Sequence, residues 1–284
     1  MKLSQTRIAI TLVVLVFTAS GCGLVNRIRA KNELNEAARS YREGHFVEAE
    51  QYSRRALEMD PESKTARMFI ARTIHAQYRP GVQAAENVAK ANEAIGAYQR
   101  ILEKDPKNDE AYKAIAYLLG AIKEDEKLRQ WISSRANDNS IPAEKRAEAL
   151  VVLASKNWDC SFKMTELPTN KSTTLEAGNR AKVSYKKPKE QKEFDSAQAC
   201  VKRGLEEIET AIKLDPSSES AWSYKTNLLL EAAKLAEMDG KMDQKAELEK
   251  QRVVAQKRTN ELSEANQKKK KSEEAAKSPA PAKD

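Results

Sequence analysis

Ala56-Leu57-Glu58-Met59-Asp60-Pro61 ends a run of helix-forming residues, and the same ending returns as Ile101-Leu102-Glu103-Lys104-Asp105-Pro106 and Ala211-Ile212-Lys213-Leu214-Asp215-Pro216. Each reads as an amphipathic helix stopped at Asp-Pro. The residue before Pro is driven out of the α region, and Pro cannot donate the next helical hydrogen bond. A new helix with an early aromatic follows two of these stops, in Asn108-Asp109-Glu110-Ala111-Tyr112 and Ser218-Glu219-Ser220-Ala221-Trp222. The chain thus repeats a unit of helix, turn, helix and Asp-Pro. Composition agrees with an all-α chain: aromatics make up 6% and charged residues 32% of 284 residues, which suits helices with charged outer faces and leaves little for sheets.

These residues resemble the tetratricopeptide repeat (TPR), a helical hairpin of about 34 residues. The first unit, from about Ala30 to Lys64, carries Tyr41, Gly44 at the hairpin turn, then Ala49, Ala56 and Pro61 at the family's spacing. Small residues let the two helices approach closely, and Gly permits the tight turn. Ala71, Ala94, Tyr98 and Pro106 mark a second unit, Tyr112, Ile115 and Ala116 begin a third, and Trp222 begins the last. The resemblance implies an all-α, TPR-like helical-hairpin solenoid wound as a right-handed superhelix.

It also implies that the first helix of each hairpin lines a concave, partner-binding surface. The inward-facing positions are then held by residues that include Leu34, Met68 and Ser223, together with the candidate partner-binding residues Tyr41, Arg42, Arg72, His75, Lys113, Tyr117 and Asn227. A mixed basic and aromatic surface suits an acidic or extended peptide, held by charge-assisted hydrogen bonds and side-chain pockets. Packing between repeats is the competing explanation for Tyr41 and Tyr117. Leu34 and Ala38 stand where the carboxylate-clamp members of the family have Lys and Asn.

Two units depart from the repeat length. Between Ala76 and Ala89 the second carries extra residues that include Gln77-Tyr78-Arg79-Pro80-Gly81, where Pro-Gly predicts a turn; this is either tolerated loop length or a partner-contacting loop. A larger insertion, residues 158–192, is punctuated by Pro168, Gly178 and Pro188. Within it Lys182-Val183-Ser184-Tyr185-Lys186 alternates like a strand, leaving room for a short β-hairpin. Cys160 stands where a helix is expected to end and Cys200 within the next helix. A long loop fixed at its base carries function more often than one left loose.

The N-terminus has cations at Lys2 and Arg7, an apolar run from Ile8 to Phe17, and Ala19-Ser20-Gly21-Cys22, the layout of a secretory signal. The last four residues resemble the bacterial lipobox, with Ala19 where that motif favours Leu. The resemblance implies lipidation of Cys22 and, with Gly23 following, an outer membrane location facing the periplasm. Ordinary signal-peptidase cleavage and an uncleaved span from Ile8 to Val25 are the alternatives. Export would leave Cys160 and Cys200 in an oxidising compartment, where a disulfide competes with two buried thiols.

The expected organisation is a signal peptide at 1–21, a lipid anchor and tether at 22–31, repeats at 32–157, the insertion at 158–192, a last repeat with capping helix at 193–266, and a disordered Lys/Pro/Ala tail at 267–284. Removing Lys2 and Arg7 lowers the formal charge from +8 to 8 − 2 = +6, and the cations interleave with acids, which argues against nucleic acid. His45 and His75 are the only histidines and sit in no metal-ligand spacing. No phosphate loop or nucleophile elbow occurs, so no cofactor, metal or enzymatic activity is expected. The expectation is a membrane-anchored protein-interaction scaffold of the bacterial cell envelope. The alternatives are a cell-wall or lipid-associated structural lipoprotein that uses the basic tail, and a carrier of small hydrophobic ligands.

Overall fold

The computed structural model describes residues 3–176, 178 and 180–277; the side chains of residues 3–22, 176, 180 and 275–277 lie outside the description. The lipidation expected at Cys22, the signal assigned to 1–21 and the tail at 278–284 therefore concern side chains or residues not described. Among the described residues no helix is long and apolar enough to cross a membrane.

Among the described residues, ten helices and one two-stranded sheet divide between two compact units, 1–128 and 129–284. The first unit holds α1 (Leu3–Arg42), α2 (Phe46–Met59), α3 (Lys64–Gln77), α4 (Ala85–Lys104) and α5 (Asp109–Ala121), each packed on its neighbours in the chain. The unit boundary falls inside α6 (Asp125–Asn137). The second unit continues with α7 (Ala143–Thr165), β1 (Lys171–Glu176), β2 (Arg180–Tyr185), α8 (Gln191–Leu214), α9 (Glu219–Met238) and α10 (Met242–Lys277).

The three Asp-Pro stops adopt one geometry. Asp60, Asp105 and Asp215 leave the helix at φ near −133°, −139° and −140°, and each carbonyl accepts the backbone N–H of Ser63, Asn108 or Ser218. Those three residues then cap the next helix: their side-chain oxygens accept from the N–H of Ala66, Ala111 and Ala221 at 3.2, 3.0 and 3.3 Å. Each cap contributes about 1 kcal/mol. Both halves of the device are local, so the chain re-enters a helix in the same way after every stop.

Alanine sets the helix spacing. Ala37, Ala49, Ala56, Ala66, Ala71, Ala91, Ala94 and Ala111 have no exposed surface, so helix backbones approach without large side chains between them. Gly44, at φ +82°, makes the turn between α1 and α2 in a region that favours glycine. The tether expected at 22–31 is part of α1, and Ala30 is already buried against Ala56 and Ala66.

The insertion begins later than expected. α7 does not end near Trp158 or Cys160 but runs to Thr165, which leaves 166–190 as the irregular segment and its hairpin. The helical signal is hidden because the buried face of its last turns is polar: Asn157, Ser161 and Thr165 replace the apolar residues that reveal a helix in sequence. Cys160 and Cys200 lie inside α7 and α8 and form a disulfide, with Cα atoms 6.2 Å apart. The hairpin pairs β1 with β2 antiparallel, Lys171 opposite Tyr185 and Thr173 opposite Val183. Below it lies a core of Met164, Phe194, Ala197, Val201, Leu235 and Met238.

The tail differs as well. Residues 267–277, expected to be disordered, belong to α10. Ala, Glu, Lys and Gln are good helix formers, and Glu273 and Glu274 stand four residues after Lys269 and Lys270, a spacing that offsets the lysine repulsion along the helix.

Candidate functional site

The first unit carries six of the seven sequence-chosen residues on successive first helices of its hairpins, and four of them, Tyr41, Arg72, His75 and Tyr117, form one row. Tyr41 and Arg42 stand in the last turn of α1, Arg72 and His75 on the last two turns of α3, and Lys113 and Tyr117 on α5. Tyr41 packs edge-on to Phe46 and Phe69, with ring centroids 5.2 and 6.3 Å away. His75 faces Tyr117 at 5.6 Å and meets Tyr98 of α4 edge-on, its Nδ1 lying 3.3 Å from the Tyr98 hydroxyl. The Arg72 Nε donates to Glu110 Oε1 of α5 at 2.5 Å. Tyr41, Arg72, His75, Ala76, Tyr78, Pro80 and Tyr98 line a pocket of about 280 Å³.

Burial tunes the groups at this pocket. Desolvation pushes the His75 imidazole below its ordinary value, so it is neutral near pH 7, and pushes the Tyr98 phenol well above its own. The hydrogen bond from Arg72 to Glu110 raises the guanidinium further against a smaller burial penalty. Arg72 and Glu110 are each nearly half exposed, so their ion pair contributes at most about 1 kcal/mol.

The remaining sequence-chosen residues lie apart. Arg42 is exposed at the end of α1, and Lys113 pairs within α5 with Asp109 at 2.7 Å. Asn227 is half-buried on α9 of the other unit. Sequence reasoning missed Tyr78, Tyr98 and Glu110 as parts of the site. Tyr98 was visible only as a repeat-marking aromatic, and Tyr78 as a residue of the Pro-Gly loop.

A second feature went unseen: a buried ionic network beneath the hairpin. Glu231 and Lys234 on α9 are almost fully buried, and Lys234 Nζ donates to Glu231 Oε1 at 2.6 Å and Glu166 Oε1 at 2.7 Å. The other Glu231 oxygen accepts from Ser161 at 3.0 Å and Thr165 at 2.8 Å. Lys171 of β1 also pairs with Glu166, and the Tyr185 hydroxyl of β2 donates to it at 3.3 Å. Burial opposes ionisation of Glu166, yet the hydrogen bonds from Lys171 and Lys234 outweigh it and hold the carboxyl below its usual range. The Tyr185 N–H donates to Glu237 Oε1 at 3.0 Å, and Lys187 pairs with Asp239. The hairpin is thus fastened to α7 and α9 by charge, while the disulfide ties α7 to α8, the helices that precede and follow it. Two charges inside the all-round apolar run from Leu228 to Ala236 were the available signal, since buried charges require partners.

Among the described residues no cluster of three or more His, Cys, Asp or Glu side chains could hold a metal ion. Capped helical hairpins joined at repeated Asp-Pro turns define a TPR-like helical-repeat protein. No protein-family model and no curated protein sequence matches the chain. Among solved structures it is similar to a MamA RS-1 ArsTM double mutant, at 14% identity over 84% of this chain and 96% of that one, with a TM-score of 0.42. It is also similar to PilF of Pseudomonas aeruginosa, at 14% identity over 80% and 91%, TM-score 0.37. A third is YrrB, described as a TPR protein with an unusual peptide-binding site, at 11% identity over 83% and 90%, TM-score 0.37. The likeness extends to the helical-repeat fold and no further.

Proposed function

We propose that the chain is a membrane-anchored protein-interaction scaffold of a bacterial cell envelope, and that it takes a peptide or protein partner on the first helices of its hairpins. The observation that carries this reading is the row formed by Tyr41, Arg72, His75 and Tyr117 on α1, α3 and α5. Tyr41 and Tyr117 remain 37% and 51% exposed although ring contacts, of Tyr41 with Phe46 and Phe69 and of Tyr117 with His75, already orient them. Exposed, pre-positioned aromatics beside a cation lose little entropy on binding. Lipid attachment at Cys22 and a periplasm-facing outer-membrane location rest on the cationic start, the apolar run and Ala19-Ser20-Gly21-Cys22. The Cys160–Cys200 disulfide agrees with an oxidising compartment.

Changing Arg42, Arg72 and Lys113 together to Glu, followed by pull-down from envelope extract, tests the binding surface. Partner recovery should collapse, and unchanged recovery sinks the reading. Cys22→Ala tests the anchor by moving the protein into the soluble fraction. A structural role for the basic C-terminus is the second reading, favoured by the exposed Lys268 to Lys271 on α10. Truncating residues 266–284 separates the two, because partner recovery survives it under the first and cell-wall or lipid association is lost under the second.

A further inference from the structure

We infer that the first turns of α1 after Cys22 form a collar that lies along an anionic phospholipid surface, so that the first hairpin is seated on the membrane rather than swung from a tether. The inference rests on the lipid-anchor reading above and adds the protein surface that meets the bilayer. The tether expected at 22–31 is helix, and Ala30 already packs against Ala56 of α2 and Ala66 of α3. Only about two helical turns separate the proposed lipid from the packed repeat. A connection that short and regular holds the repeat close to the headgroups, where a flexible linker would let it turn freely.

The outer face of those turns is apolar. Leu24, Val25 and Ile28 are 64%, 47% and 56% exposed. At about 3.6 residues per turn they share one side of α1, opposite the side that buries Ala30 and Ala37. A cluster of this kind calls for a covering partner in a way that single exposed apolar residues do not. Farther along the same side stand Asn32 and Asn35, so the apolar patch is confined to the end nearest Cys22. It begins at Leu24, the second residue after Cys22, where acyl chains on that cysteine would deliver it to a bilayer.

The surrounding charge selects the partner. Arg27 and Lys31 border the patch on one side and Arg29 on the other, all three exposed. No acid occurs between Cys22 and Glu33, and Glu33 is itself paired with Arg55 of α2 at 2.8 Å. A second copy of α1 laid on the patch would bring like charges together. An apolar strip bordered by cations is matched instead by a leaflet of anionic phospholipid. Leu24, Val25 and Ile28 enter the acyl boundary, while the stems of the arginines and the lysine reach up to the phosphates. Each cation beside such a surface strengthens the contact about fivefold.

The mature full chain is reconstituted into vesicles of phosphatidylethanolamine and phosphatidylglycerol, with a fluorophore on one introduced cysteine at a time. The sites are Leu24→Cys, Ile28→Cys and, as control, Glu58→Cys, exposed on α2 two residues beyond Ala56. Cys160 and Cys200 are bridged and Cys22 carries the lipid on this reading, so the parent should take no label. Spin-labelled lipids read depth and aqueous dithionite reads exposure. Positions 24 and 28 should lie at one depth, about 5–10 Å into the headgroup–acyl boundary, while position 58 stays in water. Changing Arg27, Arg29 and Lys31 together to Gln, or replacing phosphatidylglycerol by phosphatidylcholine, should speed dithionite bleaching at position 28 on the order of a hundredfold. Unchanged bleaching in both cases overturns the collar. So do probes at 24 and 28 that stay in water, or that are shielded from dithionite yet not quenched by lipid labels, as a second copy would leave them. A probe at 24 about 6 Å deeper than one at 28 also overturns it, since a helix crossing the bilayer gives that result. If the parent takes no label while both probes stay in water, the anchor stands without the collar. Label on Cys22 of the parent defeats the anchor and the collar with it.

Discussion

Replacing Lys234 by Met removes the ammonium that two carboxylates share beneath the hairpin. Lys234 is 5% exposed and Glu231 is fully buried, at an N···O distance of 2.6 Å. At an effective dielectric near 20 the Coulomb attraction at that distance is about 6 kcal/mol, and several kcal/mol of desolvation per ion offset it. The intact pair is therefore close to neutral against an apolar replacement, whereas breaking it strands Glu231 in the core. The expected loss is about 3–5 kcal/mol, a large part of a typical domain's stability. The double variant Lys234→Met, Glu231→Leu removes both charges; it orphans only the Ser161 hydroxyl, and should lie within about 2 kcal/mol of the parent. Urea unfolding followed by tryptophan fluorescence reads this directly, because Trp131, Trp158 and Trp222 all belong to the unit that holds the network. Trp158 stacks on Phe162, 4.7 Å away and on the same helix as Ser161 and Thr165. A loss below about 1 kcal/mol in the single variant, or a double variant no more stable than the single, refutes the account.

The same fluorescence assay checks four further expectations. Reducing the Cys160–Cys200 bond, which spans 40 residues of sequence, should cost about 4 kcal/mol on the chain-entropy estimate, and a loss below about 1 kcal/mol would deny that the bond constrains the unfolded chain in this way. Gly204→Ala places a methyl 2.7 Å from Leu228 Cδ2 and 3.2 Å from Asn157 Cβ; overpacking of about 1–3 kcal/mol should exceed the roughly 1 kcal/mol gained in helix propensity, so the variant should unfold at lower urea. Ser218→Ala should cost about 1 kcal/mol and Ser218→Gly only a few tenths, whereas equal losses would deny the cap. Acid should weaken this unit as well. Hydrogen bonds from Lys187 and Lys241 hold Asp239 down to about 2, and Glu166 also lies below its usual value of 4.5. Depressed carboxyl values stabilise the fold above the unfolded-state range, so the urea midpoint should fall as pH drops from about 4.5 toward 2; an unchanged midpoint there removes both groups from the account.

The repeated fold was legible because its rules act over a few residues. Asp-Pro ends a helix wherever it occurs, a Ser or Asn three residues after each Asp starts the next, and Gly44 turns the first hairpin through its own backbone freedom. Periodic alanines show where helices meet. The row of Tyr41, Arg72, His75 and Tyr117 was legible for the same reason, since the repeat fixes which positions share a face. Periodicity failed where the buried face turned polar: the end of α7 was lost because Asn157, Ser161 and Thr165 look like surface residues until their partners are known.

Those partners are distant in sequence. Lys234 meets Glu166 across 68 residues and Ser161 meets Glu231 across 70, and no local pattern can specify such pairings. Tyr78 is a loop residue by every local measure, and only the packing of α3 against α4 buries its hydroxyl and makes it a pocket wall. The sequence by itself determined the hairpins, their stops and the face that joins them, because backbone sterics and capping are settled between near neighbours. Tertiary structure alone decided where burial leaves a charge or a hydroxyl in need of a partner, because desolvation depends on everything packed around a group.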